Sequence, residues 1–220
     1  MSEIYTLLLR LNGPMQSWGY RSRFDYRDTA LEPTRSGVIG LICAAMGIAR
    51  GEPISRFDAI RMGVRVDRDG RLECDYHTAL DVIKADGSGN DTVVSHRDYL
   101  ADASFTVGLQ SNDQQLLNEI AAALLSPIWT LFLGRKAFPL SAPPVIDPLN
   151  PVKQGNLEKC LLSGNSNKRV VLEAPDGERT QYDWPLCFGE RRFKPRSVTV
   201  KFTTTSVIPN SEDETCISQS

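Results

Sequence analysis

Residues 33–46 read Pro-Thr-Arg-Ser-Gly-Val-Ile-Gly-Leu-Ile-Cys-Ala-Ala-Met, and this stretch predicts where the first helix of the chain begins. Ser36 is well placed as the N-cap, and apolar residues recur after it at helical spacing. These are Val38, Ile39, Ile42 and Met46. Helix N-termini bind anions through free N–H groups, and Arg35 adds a forked cation beside Ser36 and Gly37. The stretch therefore indicates either an anion site or close helix–sheet packing with an incidental arginine.

An apolar run over residues 4–11 precedes this helix and is typical of a buried central strand. The loop that follows contains Gln16 and Trp18 and then interleaves arginines with aromatic side chains. These residues are Arg21, Arg23 and Arg27, and Tyr20, Phe24 and Tyr26. Arginines contact phosphates and aromatic rings stack on bases, so the loop is a candidate nucleic-acid contact. Three acidic residues between positions 25 and 32 dilute the charge, and a solvated mixed-charge loop is the alternative.

Downstream patterning predicts two β-α-β units separated by an insertion. Residues 62–66 alternate as a half-buried strand does, and Asp69-Gly70 is a hairpin signal that would pair this strand with residues 72–76. The second unit consists of a strand at 103–109, a helix at 116–124 capped by Asn112 or Asp113, and a strand at 128–133. This order predicts an α+β, ferredoxin-like domain over residues 1–139, an arrangement that RNA-recognition domains also use.

The insertion, residues 71–101, is too long for a tight turn, and both of its flanks read as strands. We therefore predict a projecting β-hairpin, called the thumb below, with a polar tip at 85–91. An isolated hairpin is marginally stable, so we expect this one to become ordered against a partner. An ordinary solvated β-arm is the alternative. Residues on the flanks that suit RNA contact are Tyr76, His77 and Arg97.

After residue 134 the chain becomes rich in proline, which excludes helix and indicates an extended segment. Arg135 and Lys136 open this segment, where they either face phosphate or simply end a strand. Strand patterns further on predict a small β-rich appendage over residues 140–204, used for contact with other subunits. A polar tail follows over residues 205–220.

Composition and missing motifs exclude several classes of function. The chain has 25 Lys and Arg against 27 Asp and Glu, a net charge of −2, so any RNA surface must be a local patch. Its five cysteines form no C-x-x-C pair, which argues against a zinc site and a disulfide framework. The sequence has no Walker A motif, dinucleotide fingerprint or nucleophile elbow, and we expect neither metal nor cofactor. No apolar run approaches the ~18 residues of a membrane span, so we expect no membrane partner and a cytoplasmic location.

Five motifs, taken in order, carry a resemblance to a known family. They are LRLNGPMQSWG (9–19), PTRSGVIGLI (33–42), DYHTAL (75–80), HRDYLADASFTVGL (96–109) and LFLGRKAFPLSAP (131–143). Together they resemble the CasD family, the Cas-five protein and RNA-handle-binding subunit of the type I-E CRISPR Cascade complex. The resemblance covers residues 4–145. It implies the same ferredoxin-like fold, with a thumb that reaches along the guide RNA.

The function implied by this resemblance is that of a non-catalytic subunit. It would bind the 5′ repeat-derived handle of the CRISPR RNA and cap the backbone filament, in support of RNA-guided antiviral DNA recognition. The implied partners are the CRISPR RNA, the backbone subunit and the large PAM-reading subunit, with target DNA engaged indirectly through the complex. We expect Arg35, Ser36 and Gly37 to contact the handle backbone and Arg97 to clamp a nucleotide. Further RNA-binding candidates are Gln16, Trp18, Arg21, Arg23, Tyr76, His77, Arg135 and Lys136.

Two other functions stay open at this point. Some branches of the family cut precursor CRISPR RNA without a metal, using tyrosine, histidine and lysine side chains. The thumb contains these residue types at Tyr76, His77, Lys84, His96 and Tyr99. In the type I-E branch a separate subunit makes the cut, so we expect no catalytic residue in this chain. The other alternative is a ferredoxin-like module that binds only protein.

Overall fold

The structure is a computed structural model that describes residues 3–19, 25–162 and 167–203. It is a strand-rich α+β fold. The described strands are β1 (Tyr5–Asn12), β2 (Met15–Gln16), β3 (Tyr26–Arg27), β4 (Arg61–Arg68), β5 (Arg71–Ile83), β6 (Asn90–Ala101), β7 (Ser104–Ser111), β8 (Val152–Gln154), β9 (Arg169–Glu173), β10 (Arg179–Cys187) and β11 (Arg192–Phe202). The described α-helices are α1 (Arg35–Met46), α2 (Gln114–Leu125) and α3 (Leu157–Leu162), and none of them is long and apolar enough to cross a membrane.

The N-terminal apolar run forms β1 inside a seven-stranded sheet ordered β10-β11-β9-β4-β7-β1-β8. β1 pairs antiparallel with both β7 and β8, which places Leu9 opposite Val107. Leu7, Leu9 and Leu11 are fully buried, and this confirms the prediction of a buried strand. The strands predicted at 62–66 and 103–109 are confirmed as β4 and β7.

Helices cover both faces of this sheet. α1 and α2 pack against one face, and Leu8, which points to the other face, packs against the cluster that contains Leu157 and Leu161 of α3. α3 approaches closely because Gly63 and Gly108 lie beneath it. A Cβ on Gly108 would come within 2.4 Å of the Leu157 Cδ1 atom. α3 therefore covers this part of the sheet, on the face opposite α1 and α2.

Side-chain caps set the starts of the two long helices. Thr34 caps α1, because its Oγ1 accepts a hydrogen bond from the Gly37 N–H at 3.2 Å. The prediction of Ser36 as N-cap was therefore wrong, since the neighbouring threonine has extended backbone (φ −76°, ψ 151°) and also caps well. Asp113, one of the two predicted caps of α2, accepts from the Leu116 N–H at 2.9 Å.

The thumb is present, but the turn before it pairs differently from the prediction. β5 pairs with β6 along its length, which confirms a hairpin over residues 71–101. β4 pairs instead with β7 and β9, so the predicted pairing of residues 72–76 with β4 was wrong. Gly70 directs the chain out of the main sheet with a φ of +73°. A Cβ there would lie 2.5 Å from the Ala101 oxygen, so only glycine fits this exit.

The strand predicted at residues 128–133 does not form. The N–H groups of Ile128 and Trp129 donate to the oxygens of Ala45 and Ala44, at 2.9 and 3.1 Å, so the segment follows the end of α1. The N–H groups of these two residues therefore pair with carbonyl oxygens at the end of α1 and not with a neighbouring strand. β8 takes the edge position beside β1.

The β-rich segment predicted as an appendage belongs to the main sheet. β9 pairs with β4 through Gly63 and Leu172, and β11 and β10 continue the sheet beyond β9. A boundary at residue 139 would cut this sheet, so the division into residues 1–139 and 140–204 was wrong. The predicted polar tail, residues 205–220, lies outside the described residues.

Candidate nucleic-acid interface

A second sheet joins the base of the thumb to the loop that follows β1. Its central strand is β6, which pairs with β5 on one side and with β2 and β3 on the other. β3 runs parallel to β6 and sets Tyr26 beside His96 and Arg27 beside Arg97. The fold thus brings together two segments that the sequence presents separately, the arginine-rich loop and the thumb.

Three arginines meet at this base, and we call Arg27, Arg97 and Arg135 the arginine cluster. Arg135 lies on the proline-rich segment, and its Nη2 donates to the backbone oxygens of Asp98 and Arg27 at 2.7 and 3.4 Å. Its guanidinium carbon lies 5.4 Å from the centroid of the Phe138 ring. These contacts hold Arg135 against β3 and β6 while its side chain stays partly exposed.

The positive charges of the cluster repel one another. Burial, followed by the charge of Arg27, lowers the pKa of Arg97, and burial followed by the charges of Arg97 and Arg27 lowers that of Arg135. Attraction to Asp75 only partly opposes these effects. Within the described ranges, none of the three guanidinium groups forms an ion pair with a carboxylate. A phosphate would supply the missing negative charge and the paired oxygens that guanidinium groups prefer.

The opposite face of the thumb base carries three rings, Tyr26, His96 and Tyr76, which we call the aromatic row. The Tyr76 and His96 centroids are 5.3 Å apart in an edge-to-face arrangement. The hydroxyl of Tyr26 donates to the Asp98 carboxylate, and this bond, together with the carboxylate charge, raises the pKa of Tyr26. Tyr26 and Tyr76 are 52% and 65% exposed, so their rings are open to a ligand.

Arg35, the leading candidate from the sequence, is only 1% exposed. Its Nη1 donates to Glu173 at 2.9 Å and to the Ile60 oxygen at 2.8 Å, and its Nη2 donates to the Phe57 oxygen at 2.9 Å. The Trp184 ring centroid lies 3.7 Å from the guanidinium carbon. The prediction that Arg35 contacts the RNA handle was therefore wrong, because its guanidinium binds inside the protein.

The N-terminus of α1 does bind an anion, and that anion is a carboxylate of the same chain. Asp183 accepts from the backbone N–H of Arg35 at 2.8 Å, and Arg196 links Asp183 to Glu173 with bonds of 2.6 and 3.1 Å. Burial opposes the charge of Arg196, but the bond to Asp183 and the charges of both carboxylates outweigh it and raise the pKa. We call these four residues the buried ionic network. Its carboxylates follow Arg35 by 138 and 148 residues, so no local signal revealed it.

Comparison with known proteins identifies the family. The protein-family model described as CRISPR-associated protein (Cas_Cas5) matches residues 6–201 of this chain. The chain belongs to the CRISPR-associated Cas5 family. A curated relative, the CRISPR system Cascade subunit CasD of Escherichia coli (strain K12), is 38% identical over 153 residues, which cover 62% of this chain and 68% of the relative.

Two solved structures are similar to this Cas5-family chain. A chain of a CRISPR RNA-guided surveillance complex has a TM-score of 0.80 and 34% identity, with 90% of each chain covered. A structure described as that of a Cas protein has a TM-score of 0.73 and 40% identity, covering 90% of this chain and 94% of the other. The resemblance deduced from the five sequence motifs is thereby confirmed.

The candidates near α1 of this Cas5-family chain hold the fold together. Gln16 and Trp18 are 0% and 2% exposed, and the Gln16 Oε1 accepts from the Trp18 Nε1 at 3.2 Å. Gly37 lies against this indole, where a Cβ would be 2.7 Å from the Trp18 Cε3 atom. The predicted RNA contacts of Gln16 and Trp18 were wrong. The handle contacts predicted for Ser36 and Gly37 were wrong as well, because this helix start is filled from within the chain: Asp183 accepts from the Arg35 N–H and Thr34 from the Gly37 N–H.

The remaining candidates of this Cas5-family chain are distributed around the thumb base. Arg97 and Arg135 lie in the arginine cluster, Tyr76 in the aromatic row, Lys136 is exposed next to Arg135, and His77 lies beside Asp75. Arg21 and Arg23 fall outside the described residues. Arg27 also lies in the arginine cluster, although the sequence does not predict it as a site residue. Its link to Arg97 depends on a two-residue strand, and so short a strand leaves no periodic signal.

Proposed function

We propose that this chain is a non-catalytic RNA-binding component of a CRISPR surveillance complex. It holds the 5′ repeat-derived handle of the CRISPR RNA and caps the backbone filament. Membership of the Cas5 family supports the assignment to such a complex, as does the similarity to a chain of an RNA-guided surveillance complex. The observation that carries RNA binding is the arginine cluster, in which three cations lie together without an ion pair to any described carboxylate.

The chemistry of the cluster favours phosphate over a single carboxylate as its ligand. Two of the guanidinium groups are partly buried, and charge interactions are stronger where water is partly excluded. Arg97 donates to Ser95 at 2.9 Å and Arg135 is held by two carbonyl oxygens. These two cations are thus positioned in advance, which lowers the entropic cost of binding. A flexible RNA strand presents phosphates in succession and can satisfy all three guanidinium groups.

The main sheet supports recognition at the thumb and not on the sheet face. The strand order β8-β1-β7-β4, with α1 and α2 on one face, supports our assignment of a ferredoxin-like domain. RNA-recognition domains of this kind stack bases on the open sheet face. Here Leu157 and Leu161 of α3 pack over that face at Gly63 and Gly108. We therefore assign handle binding to the thumb base.

The outer half of the thumb supports contact with a neighbouring protein subunit. Leu80, Ile83 and Val93 are 71%, 75% and 45% exposed. Exposed apolar side chains grouped on one projection are typical of protein interfaces. We assign this part of the thumb to the backbone subunit, and the family resemblance adds the large PAM-reading subunit as a second partner.

The alternative function, metal-independent cleavage of precursor CRISPR RNA, has less support. General acid–base cleavage needs its groups to converge on one phosphodiester. His96 belongs to the aromatic row, whereas His77 lies on the other face beside Asp75, 3.6 Å from its carboxylate. Lys84 lies at the tip of the thumb, 3.9 Å from Asp91. This separation supports a non-catalytic role.

The proposal is tested by measuring handle binding by purified full-length chain and by a variant with Arg27, Arg97 and Arg135 replaced by glutamine. We expect the variant to lose more than about tenfold in affinity, since hydrogen bonds between charged groups contribute about 1.5–3 kcal/mol each. A matched variant with exposed Arg50, Arg56 and Arg192 replaced by glutamine loses the same charge and should bind nearly as wild type. Equal affinity of both variants would contradict the proposed site.

Cleavage is scored in the same reaction, with labelled repeat RNA in EDTA. Binding without cutting is the expected result. Specific cutting at the 5′ edge of the handle would contradict the non-catalytic assignment and would select the endoribonuclease alternative.

A further inference from the structure

The aromatic row and the arginine cluster occupy opposite faces of one small sheet, at the same level of the thumb. Successive residues of a strand point to opposite faces, so Tyr26 and Arg27 diverge on β3, as His96 and Arg97 do on β6. Tyr76 is the partner of His96 across β5 and β6. Each of the two strands thus presents a ring on one face and a cation on the other.

Contacts among the side chains confirm this division of faces. The Tyr26 hydroxyl bonds to Asp98, which shares the face of His96, and Arg97 bonds to Ser95, which shares its own face. The three rings stand on neighbouring strands, so the row is about 10 Å wide at the usual strand spacing. Tyr26 and Tyr76 remain more than half exposed. The result is a row of three neighbouring rings on one face, of which the two tyrosines are well exposed.

The outer edge of β3 pairs with no further strand among the described residues. β3 is only two residues long and pairs with β6 on its other side. A single strand that crosses this edge can leave its phosphates on the arginine cluster and turn its bases onto the rings. Aromatic rings stack with any base, because every base has a π face.

We propose that the aromatic row of Tyr26, His96 and Tyr76 is a stacking platform for unpaired nucleobases of the bound RNA. This inference rests on the proposed function, because the arginine cluster supplies the phosphate anchor for the same strand. The platform adds affinity for bases on the side of the sheet that the guanidinium groups do not reach. It contacts the flat faces of the bases and not their hydrogen-bonding edges, so it tolerates sequence changes at the stacked positions.

The test uses a synthetic handle RNA in which single bases are replaced in turn by 2-aminopurine, whose fluorescence falls when the base stacks. Binding to wild-type chain should quench the probe at one or two positions. The variant Tyr26→Ala/Tyr76→Ala should abolish this quenching and weaken binding about five- to 150-fold per stacked base lost. The variant Tyr26→Phe/Tyr76→Phe keeps both rings and should retain both properties.

The outcomes separate this inference from the proposed function. The alanine variant should keep the wild-type dependence of affinity on salt, because stacking releases no counterions, whereas loss of the arginine cluster reduces that dependence. If wild-type chain binds through the arginines but the alanine variant binds and quenches as wild type, the stacking platform is overturned and the proposed function survives. If the alanine variant binds and quenches as wild type but no longer binds the backbone subunit, the stacking platform is again overturned and the row is a protein contact. If wild-type chain binds no handle RNA, both proposals are overturned.

Discussion

Replacement of Arg35 by alanine tests whether this arginine belongs to the fold or to the RNA interface. In the structure Arg35 is 1% exposed, and its guanidinium bonds to Glu173 and to two backbone oxygens. Removal of one partner from a buried ion pair costs about 3–5 kcal/mol, because the remaining charge stays buried without compensation. Arg35→Ala should therefore reduce the free energy of unfolding by an amount in this range.

The expected change in melting temperature follows from the size of the chain. For a domain of this size, 1 kcal/mol shifts Tm by about 2–4 °C, so Arg35→Ala should lower Tm by about 6–20 °C. Circular dichroism during thermal unfolding measures the shift directly. Arg56→Ala is the matched control, because Arg56 pairs with Glu119 on the surface, where both side chains are more than 40% exposed. Such exposed pairs contribute about 0–1 kcal/mol.

The same variant also tests the interface. At a temperature where Arg35→Ala is still folded, it should bind handle RNA with wild-type affinity, because its guanidinium does not reach solvent. A variant with wild-type Tm and weakened RNA binding would refute the reasoning, since it would show that Arg35 serves the ligand and not the buried ionic network.

Three further predictions concern packing, thiol chemistry and pH. Gly37→Val should destabilise the chain by about 1–3 kcal/mol in urea unfolding, since a Cβ there meets the Trp18 ring at 2.7 Å, whereas Gly51→Ala, with open space around it, should not. Cys43 should react with DTNB at pH 8 only after unfolding, because it is buried and burial raises its pKa to about 11, whereas Cys74 should react in the native chain because it is exposed; equal rates would contradict the packing of α1. Bonds from Lys201 and Arg61 lower the pKa of Glu158, so its contribution to stability should be present above the ordinary glutamate pKa and be lost as pH falls through the lowered one. The difference in Tm between wild type and Glu158→Gln should accordingly shrink on acidification, and a constant difference from pH 6 to pH 3 would contradict the ion pairs.

Much of the central fold could be predicted because its signals are local. The apolar run of β1, the alternation in β4 and β7 and the thumb flanks each encode a strand within about ten residues. Residues 128–133 show the limit of such signals. Their apolar side chains would suit a strand, but the end of α1 takes the N–H groups of Ile128 and Trp129, and only the tertiary structure reveals that competition.

The candidate site was harder to predict because it depends on distant residues. Arg35 followed by a helix start has the local character of an anion site, yet Glu173 and Asp183 fill that role from within the chain. Conversely, Arg27, Arg97 and Arg135 are far apart in the sequence. The parallel pairing of β3 and β6 brings the first two together, and Arg135 reaches them from the proline-rich segment. The sequence shows that these side chains are positively charged, whereas their exposure and their neighbouring residues are determined by the fold.

The measurement that most directly tests the central claim is the salt dependence of handle RNA binding by the full-length chain and by its arginine-cluster variant. Each phosphate contact to a single strand contributes about 0.7 to the slope of log K against log salt concentration, so three contacts contribute about 2. We predict that replacing Arg27, Arg97 and Arg135 by glutamine reduces the slope by this amount, while replacing Arg50, Arg56 and Arg192 leaves it unchanged. Equal slopes for wild type and the cluster variant would contradict the claim that RNA phosphates bind at the base of the thumb.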